Sequence, residues 1–441
     1  MRQGWERGNM YQPETETMTK ADKRRLQSTR LVELVDRLKA SEIPYWRDKM
    51  AGVGEIGSID DITKLPFTTK SEMRDAFPYG MLTVPVSACN RIHASSGTSG
   101  KPTIVAYTRG DLAVFSEVNA RVLGCAGARP NDVFHNAHGY GLFTGGLGIH
   151  GGAELFGVTV VPASGGNTVF QAELLADLGA RGFCATPSFS LLLAERAEEA
   201  GLMDRIKVEY GIHGAEPWSE SMRTKIEAAW GIDALDVYGL SEIIGPGVAM
   251  ESVEGKGAPF IFDDHFFPEI VDPETGDPVD HGDYGELVIT TLTKEALPVI
   301  RYRTRDITRL IDEPSPCGRT FQRMDRISGR ADDMLIIRGI NVFPSEIESM
   351  ILAEPGVSGQ WAIVLDKRGT MVELVVRCEL AGADRLPQRD SIRARLETGL
   401  HSRLRSRTSV LIGDPGSMPR TEVGKARRVF EQVDDRDPLM V

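Results

Sequence analysis

Between Ser95 and Thr103 the chain reads SSGTSGKPT: five hydroxyl side chains, two glycines and a lysine in nine residues. That composition suits a polyanion. Glycine lets the backbone approach a ligand, hydroxyls donate hydrogen bonds, and Lys101 supplies positive charge. It is not a Walker loop, which needs G-x-x-x-x-G-K-[ST]. Here Gly97 and Gly100 are three apart and Lys101 precedes Pro102. Alone, such a loop reads more readily as a solvated turn, so its companions must decide.

The elements that would position it come next. Residues 18–50 read as helical, with apolar spacing near 3.6 in 31-LVELVDRLKA-40. From about 100 to 300, β-branched runs (157–164, 183–188, 235–239, 285–292) alternate with helical segments (168–182, 216–230), which implies an α/β layered domain with a mainly parallel sheet. Past 326-RISGRADD-333 the character changes to a compact α+β unit, closed by a helix over about 388–405 with Ile392, Leu396, Leu400 and Leu404 at four-residue spacing. The expected division is a large domain over 1–330 and a small one over 331–441.

With 441 residues, 41% apolar and 26% charged, the chain is too long for one ordinary core and has a globular composition. It shows no membrane-length apolar run and no signal-peptide core, which gives a cytoplasmic expectation. Five scattered cysteines suggest neither a disulfide framework nor a cysteine zinc site. A net charge of −12 argues against nucleic acid as a partner. Residues 331–441 hold 16 basic and 17 acidic residues, a net of −1, so an anionic ligand meets less repulsion there than over the first 330.

Four further stretches follow the hydroxyl loop in order: 214-GAEP-217 with 238-YGLSE-242, then 303-RTRD-306, 326-RISGRADDMLIIRGINVFP-344 and 419-PRTEVGK-425. Together the five resemble the motifs of the acyl-adenylate-forming superfamily, which contains acyl-CoA synthetases, aryl-acid activating domains and luciferases. Within it, 66-PFTTKSEMRDAFPYGML-82, 139-GYGLFTGGLG-148, 263-DDHFFPEIVDPETG-276 and 291-TLTKEALPVIRYRTRDITRL-310 look most like phenylacetate–CoA ligases, over about residues 11–430.

The resemblance implies an adenylate-forming fold with a mobile C-terminal domain, and ATP, Mg²⁺ and CoA as ligands. Ser95, Ser96, Gly97, Thr98, Ser99, Gly100 and Lys101 would cradle the β- and γ-phosphates. Thr103 stands where many superfamily members carry a second lysine. Gly214, Ala215 and Glu216 would border adenine and the acyl pocket, Tyr238 and Gly239 would lie at the adenine, and Glu242 would ligate Mg²⁺. Asp306 would take the ribose hydroxyls and Arg330 the phosphates; a plain surface ion pair is the competing reading of those two. Lys425 would serve the acyl carboxylate and α-phosphate in adenylation, with Lys101 and Glu242 as the other catalytic groups.

Asp332 would be the hinge, although a turn-capping Asp-Asp pair suits it equally. The acyl pocket would be lined by His138, Tyr140, Phe143, Thr144, Gly145, Ala215 and Ile244. His138 departs from the family pattern, which carries tyrosine there; a hydroxy- or amino-substituted aryl acid and a structural histidine are the alternatives. Some relatives hold a structural zinc after YGLSE and before RTRD; with His265 but no cysteine there, no zinc is expected. The arginines between 385 and 407 are candidates for the CoA phosphates. The implied activity is ATP-dependent aryl-acid–CoA ligation through an acyl-AMP. The main rival hands the acyl group to a carrier protein's phosphopantetheine thiol, and a non-catalytic nucleotide-binding protein is the third reading. Whether the chain forms a homodimer stays open.

Overall fold

The computed structural model describes residues 10–95, 102–331, 335–337, 340–368, 372–404, 408–421 and 426–439. The expected phosphate-loop residues Ser96 to Lys101, the hinge Asp332 and Lys425 lie outside the described residues.

The largest sheet has nine strands in the order 310–311, 323–324, 260–261, 245–250, 233–240, 210–214, 182–185, 133–136, 159–161. The last five are parallel neighbours, and the strands beyond 233–240 continue the sheet antiparallel. Parallel neighbours need crossover helices, and these are 145–156, 168–177, 187–199 and 220–230. The helix expected over 216–230 begins only at Glu220, because Ser219 caps it by accepting from Met222 N.

The helix Gly145–Phe156 reads GGLGIHGGAELF for a packing reason. A Cβ on Gly148 would meet Phe115 Cζ at 2.2 Å, and one on Gly152 would meet Asn119 Cβ at 2.3 Å. The glycines let this helix lie directly on the helix Arg109–Ala126, whose start is fixed by a capping box between Thr108 and Asp111.

A four-stranded antiparallel sheet, 266–271, 285–291, 302–308 and 329–330, stands beside the first. The strands Arg91–Ser95 and Thr103–Tyr107 pair antiparallel, with Ser95 opposite Thr103. The C-terminal unit is a four-stranded mixed sheet, 408–413, 373–380, 357–366 and 429–432, with helices Pro344–Ala353 and Arg389–Leu404. Ile392, Leu396, Leu400 and Leu404 are all buried, as their spacing requires. One apolar cluster runs from Trp46 through Phe115 to Phe260, and a second joins Phe183 and Trp230 to Trp361 and Ile392. No described helix is long and apolar enough to cross a membrane.

Candidate active site

The parallel strands end side by side, and the sequence motifs sit just past those ends: Asn136–Tyr140, Thr186–Ser188, Gly214–Glu216 and Tyr238–Glu242. In open α/β sheets this edge is where ligands bind. Ala215, leaving the strand Tyr210–Gly214, takes φ +70°, a conformation that costs a non-glycine residue about 1 kcal/mol or more. Gly239 has no room for a side chain, since its Cβ would lie 1.9 Å from the Gly245 carbonyl oxygen.

Asp306 and Arg330 are register partners on neighbouring strands, with Arg330 Nη1 donating to Asp306 Oδ1 at 3.2 Å. Tyr238 Oη donates to the other oxygen, Oδ2, at 2.6 Å. Asp306 is only 4% exposed, so the surface ion pair does not describe it. Burial, and then the Asp306 carboxylate, push the Tyr238 phenol well above its ordinary value, which keeps it a hydrogen-bond donor.

Glu242 is 2% exposed, with Lys70 Nζ 3.0 Å from its Oε1. Among the described residues that oxygen has no aligned hydrogen-bond donor, so the Lys70 contact is one of charge rather than of hydrogen bonding. Lys70 opens the helix Lys70–Asp75, whose start is set by the Thr69–Glu72 capping box. The backbone after Glu242 is pinned from two sides. Lys294 Nζ donates to the Ile243 carbonyl at 2.7 Å, and Tyr107 Oη to the Ile244 carbonyl at 2.9 Å. Burial pushes the Lys294 ammonium down to about 8. Ser95 Oγ and Thr103 Oγ1 are buried with no partner among the described residues. A buried carboxylate oxygen short of a donor suits a hard divalent cation, and spare hydroxyls suit phosphate oxygens.

The wall expected for the acyl group is organised by Asn136. Its amide donates to Tyr140 Oη at 2.7 Å and to the Gly146 carbonyl at 2.8 Å, and its Oδ1 accepts from His138 N at 3.1 Å. Tyr140 Oη also meets His150 Nδ1 at 3.0 Å. Thr144 Oγ1 and Ser241 Oγ lie 3.2 Å apart, which ties this wall to the YGLSE segment. Phe143 is half-buried, while Gly145 and Ile244 are buried. Burial alone pushes the His138 imidazole down to about 4, so it is neutral near pH 7.

Two family models match this chain: "AMP-binding enzyme" over residues 88–293 and "AMP-binding enzyme C-terminal domain" over 339–433. The phenylacetate–coenzyme A ligase of Thermus thermophilus is 45% identical over 442 residues, covering 96% of this chain and 99% of that protein. The Escherichia coli K12 phenylacetate–coenzyme A ligase is 47% identical over 398 residues, covering 88% and 90%. This chain belongs to the phenylacetate–CoA ligase family. Members are AMP-forming acid–thiol ligases. Among solved structures, 2-hydroxyisobutyryl-CoA ligase with a bound acyl-AMP in its postadenylation state superposes with a TM-score of 0.88 at 26% identity, covering 97% of this chain and 95% of that one. The same ligase in its thioesterification state gives 0.71.

In this ligase the His265 imidazole does have carboxylates beside it. Ligand atoms of Glu117, Asp264 and His265 come within 4.8 Å of one another. Arg121 already claims both Asp264 oxygens at 2.8 and 3.0 Å, so a guanidinium fills the charge role a metal would take. The arginines of the last helix also have acidic partners: Arg395 with Glu354 at 2.8 Å, Arg393 with Asp390 at 3.0 Å, Arg403 with Glu346 at 3.2 Å, and Arg389 with Asp414. Each of these four therefore already has a carboxylate to exchange for a CoA phosphate, while Arg405 and Arg407 lie outside the described residues.

Three contributors were missed from sequence: Lys70, Asn136 and Ser188. Lys70 lies in 66-PFTTKSEMRDAFPYGML-82, a stretch read for resemblance alone; a lysine directly after a capping Thr, at the start of a helix, was the available signal. Ser188 donates twice to Glu216 Oε1, from N at 2.6 Å and from Oγ at 2.5 Å. Its own sequence context, TPSFS, carries no such sign.

Proposed function

We propose that this ligase activates an aromatic carboxylic acid, phenylacetate or a substituted aryl acid, with ATP and transfers the acyl group to CoA. In the first step an oxygen of the acid's carboxylate bonds to the α-phosphorus and the bond to the β-phosphate oxygen breaks, so that pyrophosphate leaves. In the second the CoA sulfur bonds to the acyl carbon and AMP leaves with the former carboxylate oxygen. Both partners in the first step are anionic, so the site must offset charge and hold the reacting atoms in line.

The observation that carries this reading is the buried Asp306 carboxylate, held between Tyr238 of the large sheet and Arg330 of the neighbouring antiparallel sheet. A carboxylate accepts hydrogen bonds at both oxygens, which is the chemistry a pair of ribose hydroxyls asks for. Arg330, beside that carboxylate, is assigned to the phosphates. The loop from Ser95 to Thr103 is assigned to the leaving pyrophosphate and Lys425 to the reacting carboxylate and α-phosphate. Glu242 would hold Mg²⁺, which when bound offsets phosphate charge. Lys70, already beside that carboxylate, is a further cation at the same place. His138, neutral and buried, suits the body of an aryl acid and not its carboxylate. The boundary near residue 330, with Asp332 as hinge, belongs to the same proposal.

The test is incubation with ATP, MgCl₂, CoA and a panel of aryl acids, phenylacetate and hydroxy- and aminobenzoates among them, with thioesters read by mass spectrometry. An aryl-CoA product with matching AMP is expected. Acid-dependent pyrophosphate release without a CoA thioester would move the acceptor to a carrier protein. No acid-dependent AMP or pyrophosphate at all would sink the proposal.

A further inference from the structure

The Glu216 carboxylate faces the C-terminal unit. Its Oε1 accepts from Ser188 N and Oγ, and its Oε2 accepts from the backbone N–H of Ala426 at 3.2 Å. Ser188 Oγ in turn accepts from Arg428 Nη2 at 2.8 Å, while Arg428 Nη1 donates to the Trp361 carbonyl at 2.9 Å. The guanidinium also stacks over the Trp361 ring, 5.0 Å from its centroid. Arg428 therefore links three things: the strand 357–366 of its own unit, the start of the helix Pro187–Glu199, and, through Ser188, the carboxylate that follows the strand Tyr210–Gly214.

These bonds cross between the two parts of the molecule. Around them the contact is tight. Ser219 N donates to Glu348 Oε1 at 2.9 Å, Lys225 Nζ donates to the Val357 carbonyl at 2.7 Å, and a Cβ on Gly359 would meet Leu191 Cδ1 at 2.5 Å. The arrangement superposes better on the postadenylation state of the 2-hydroxyisobutyryl-CoA ligase than on its thioesterification state, 0.88 against 0.71. The contacts are thus those of one orientation of the C-terminal unit. They hold Ala426 and Arg428, the residues immediately past the segment that carries Lys425.

We propose that Arg428 is a positioning residue for the first half-reaction, latching the 426–428 backbone to Ser188 and Glu216 and so fixing the stretch of chain that directly follows Lys425. The latch is released when the C-terminal unit turns for thioester formation, and Arg428 makes no contribution to that second step. Glu216 is the receiving end: it faces Ala426 and Ser188, and its place beside adenine is left to the backbone of Gly214 and Ala215. The inference rests on the two-step reading above.

The test measures the two half-reactions separately in full-length Arg428→Gln and Ser188→Ala proteins. Acid-dependent ATP–pyrophosphate exchange reports the first, and thioester formation from supplied phenylacetyl-AMP and CoA reports the second. Exchange should fall about ten- to a hundred-fold, the worth of one hydrogen bond to a charged group, through its maximal rate and not through the ATP KM. Thioester formation should stay within about twofold of the unaltered protein, the scatter of distant substitutions. If both half-reactions fall together, or exchange is unchanged, the latch is overturned. Ser188→Ala retains every charge and keeps the question answerable if Arg428→Gln fails to fold. Loss of exchange in the unaltered protein would instead remove the two-step reading itself, a different failure from that of the latch.

Discussion

Replacing His138 by glutamine tests whether the wall of the proposed acyl pocket is uncharged during turnover. The imidazole is 5% exposed, and burial alone lowers its value from 6.5 to about 4. Protonating it in place therefore costs about 3 kcal/mol. At pH 6 only about 1% of the folded molecules would carry that proton, against roughly three-quarters of a free imidazole. A neutral ring can donate or accept one hydrogen bond with an aryl substituent, but it cannot serve as a counter-ion to a carboxylate. Two consequences follow for experiment. The pH profile of kcat/KM for acyl-AMP formation between pH 5.5 and 8 should keep its shape in His138→Gln, whatever happens to its height. The stability difference should not keep its value. A depressed histidine pKa means the unfolded chain takes up the proton first, so its contribution is fully present above 6.5 and is lost as pH falls through 4. Between pH 7 and pH 5 the native protein should lose about 2 kcal/mol through His138 alone, and His138→Gln should lose that much less, measured by urea unfolding at both pH values. A kinetic pKa between 6 and 7 that vanishes in the variant would refute the neutral wall, as would an NMR titration of His138 with a midpoint near 6.5.

Three other outcomes are expected. Tyr238→Phe removes the 2.6 Å donor to Asp306 and should raise the KM for ATP about tenfold or more, leaving the KM for the acid near its starting value. Glu251→Ala removes the carboxylate that pairs with Arg223 through both oxygens at 2.8 Å in a buried site and leaves it the more exposed Glu220 at 3.0 Å, so it should cost about 3 kcal/mol in denaturant unfolding. Glu348, pushed up to about 7 chiefly by burial, is disfavoured as an anion. Its penalty is absent below 4.5 and complete above 7, about 3 kcal/mol, so Glu348→Gln should raise the melting temperature at pH 8 more than at pH 5.

Much of the fold was legible because it is written in local periodicity. The four-residue spacing of Ile392 to Leu404 gave a helix with that buried face, and β-branched runs gave the strands near 183, 235 and 285. The antiparallel continuation of the sheet past residue 245 was not legible, since pairing direction depends on which strand arrives beside which. It is set here by the reversal through Ile243 and Ile244, whose carbonyls are held by Lys294 and Tyr107. Neither anchor is near them in sequence.

The candidate site divides in the same way. Tyr238, Glu242, Asp306 and Arg330 sit in short motifs because each must occupy one place on or just past one strand, and a motif records a place. What a motif does not record is the partner that sets each group's charge. Lys70 faces Glu242 across 172 residues of sequence, and Tyr238 reaches Asp306 across 68. Glu216 shows the consequence most clearly. Its motif suggests a group beside adenine, yet its two oxygens are spent on Ser188 and on the backbone of Ala426. A carboxylate with both oxygens so engaged has less to offer a nucleotide and more to offer the segment that brings in Lys425. Under the proposal above, the same four letters, GAEP, carry two duties: a turn, whose Ala215 stands at positive φ, for the nucleotide, and a side chain for the C-terminal unit. Only the second distinguishes one orientation of the C-terminal unit from another. For that reason substitution of its partners, and not of the motif, should separate the two half-reactions.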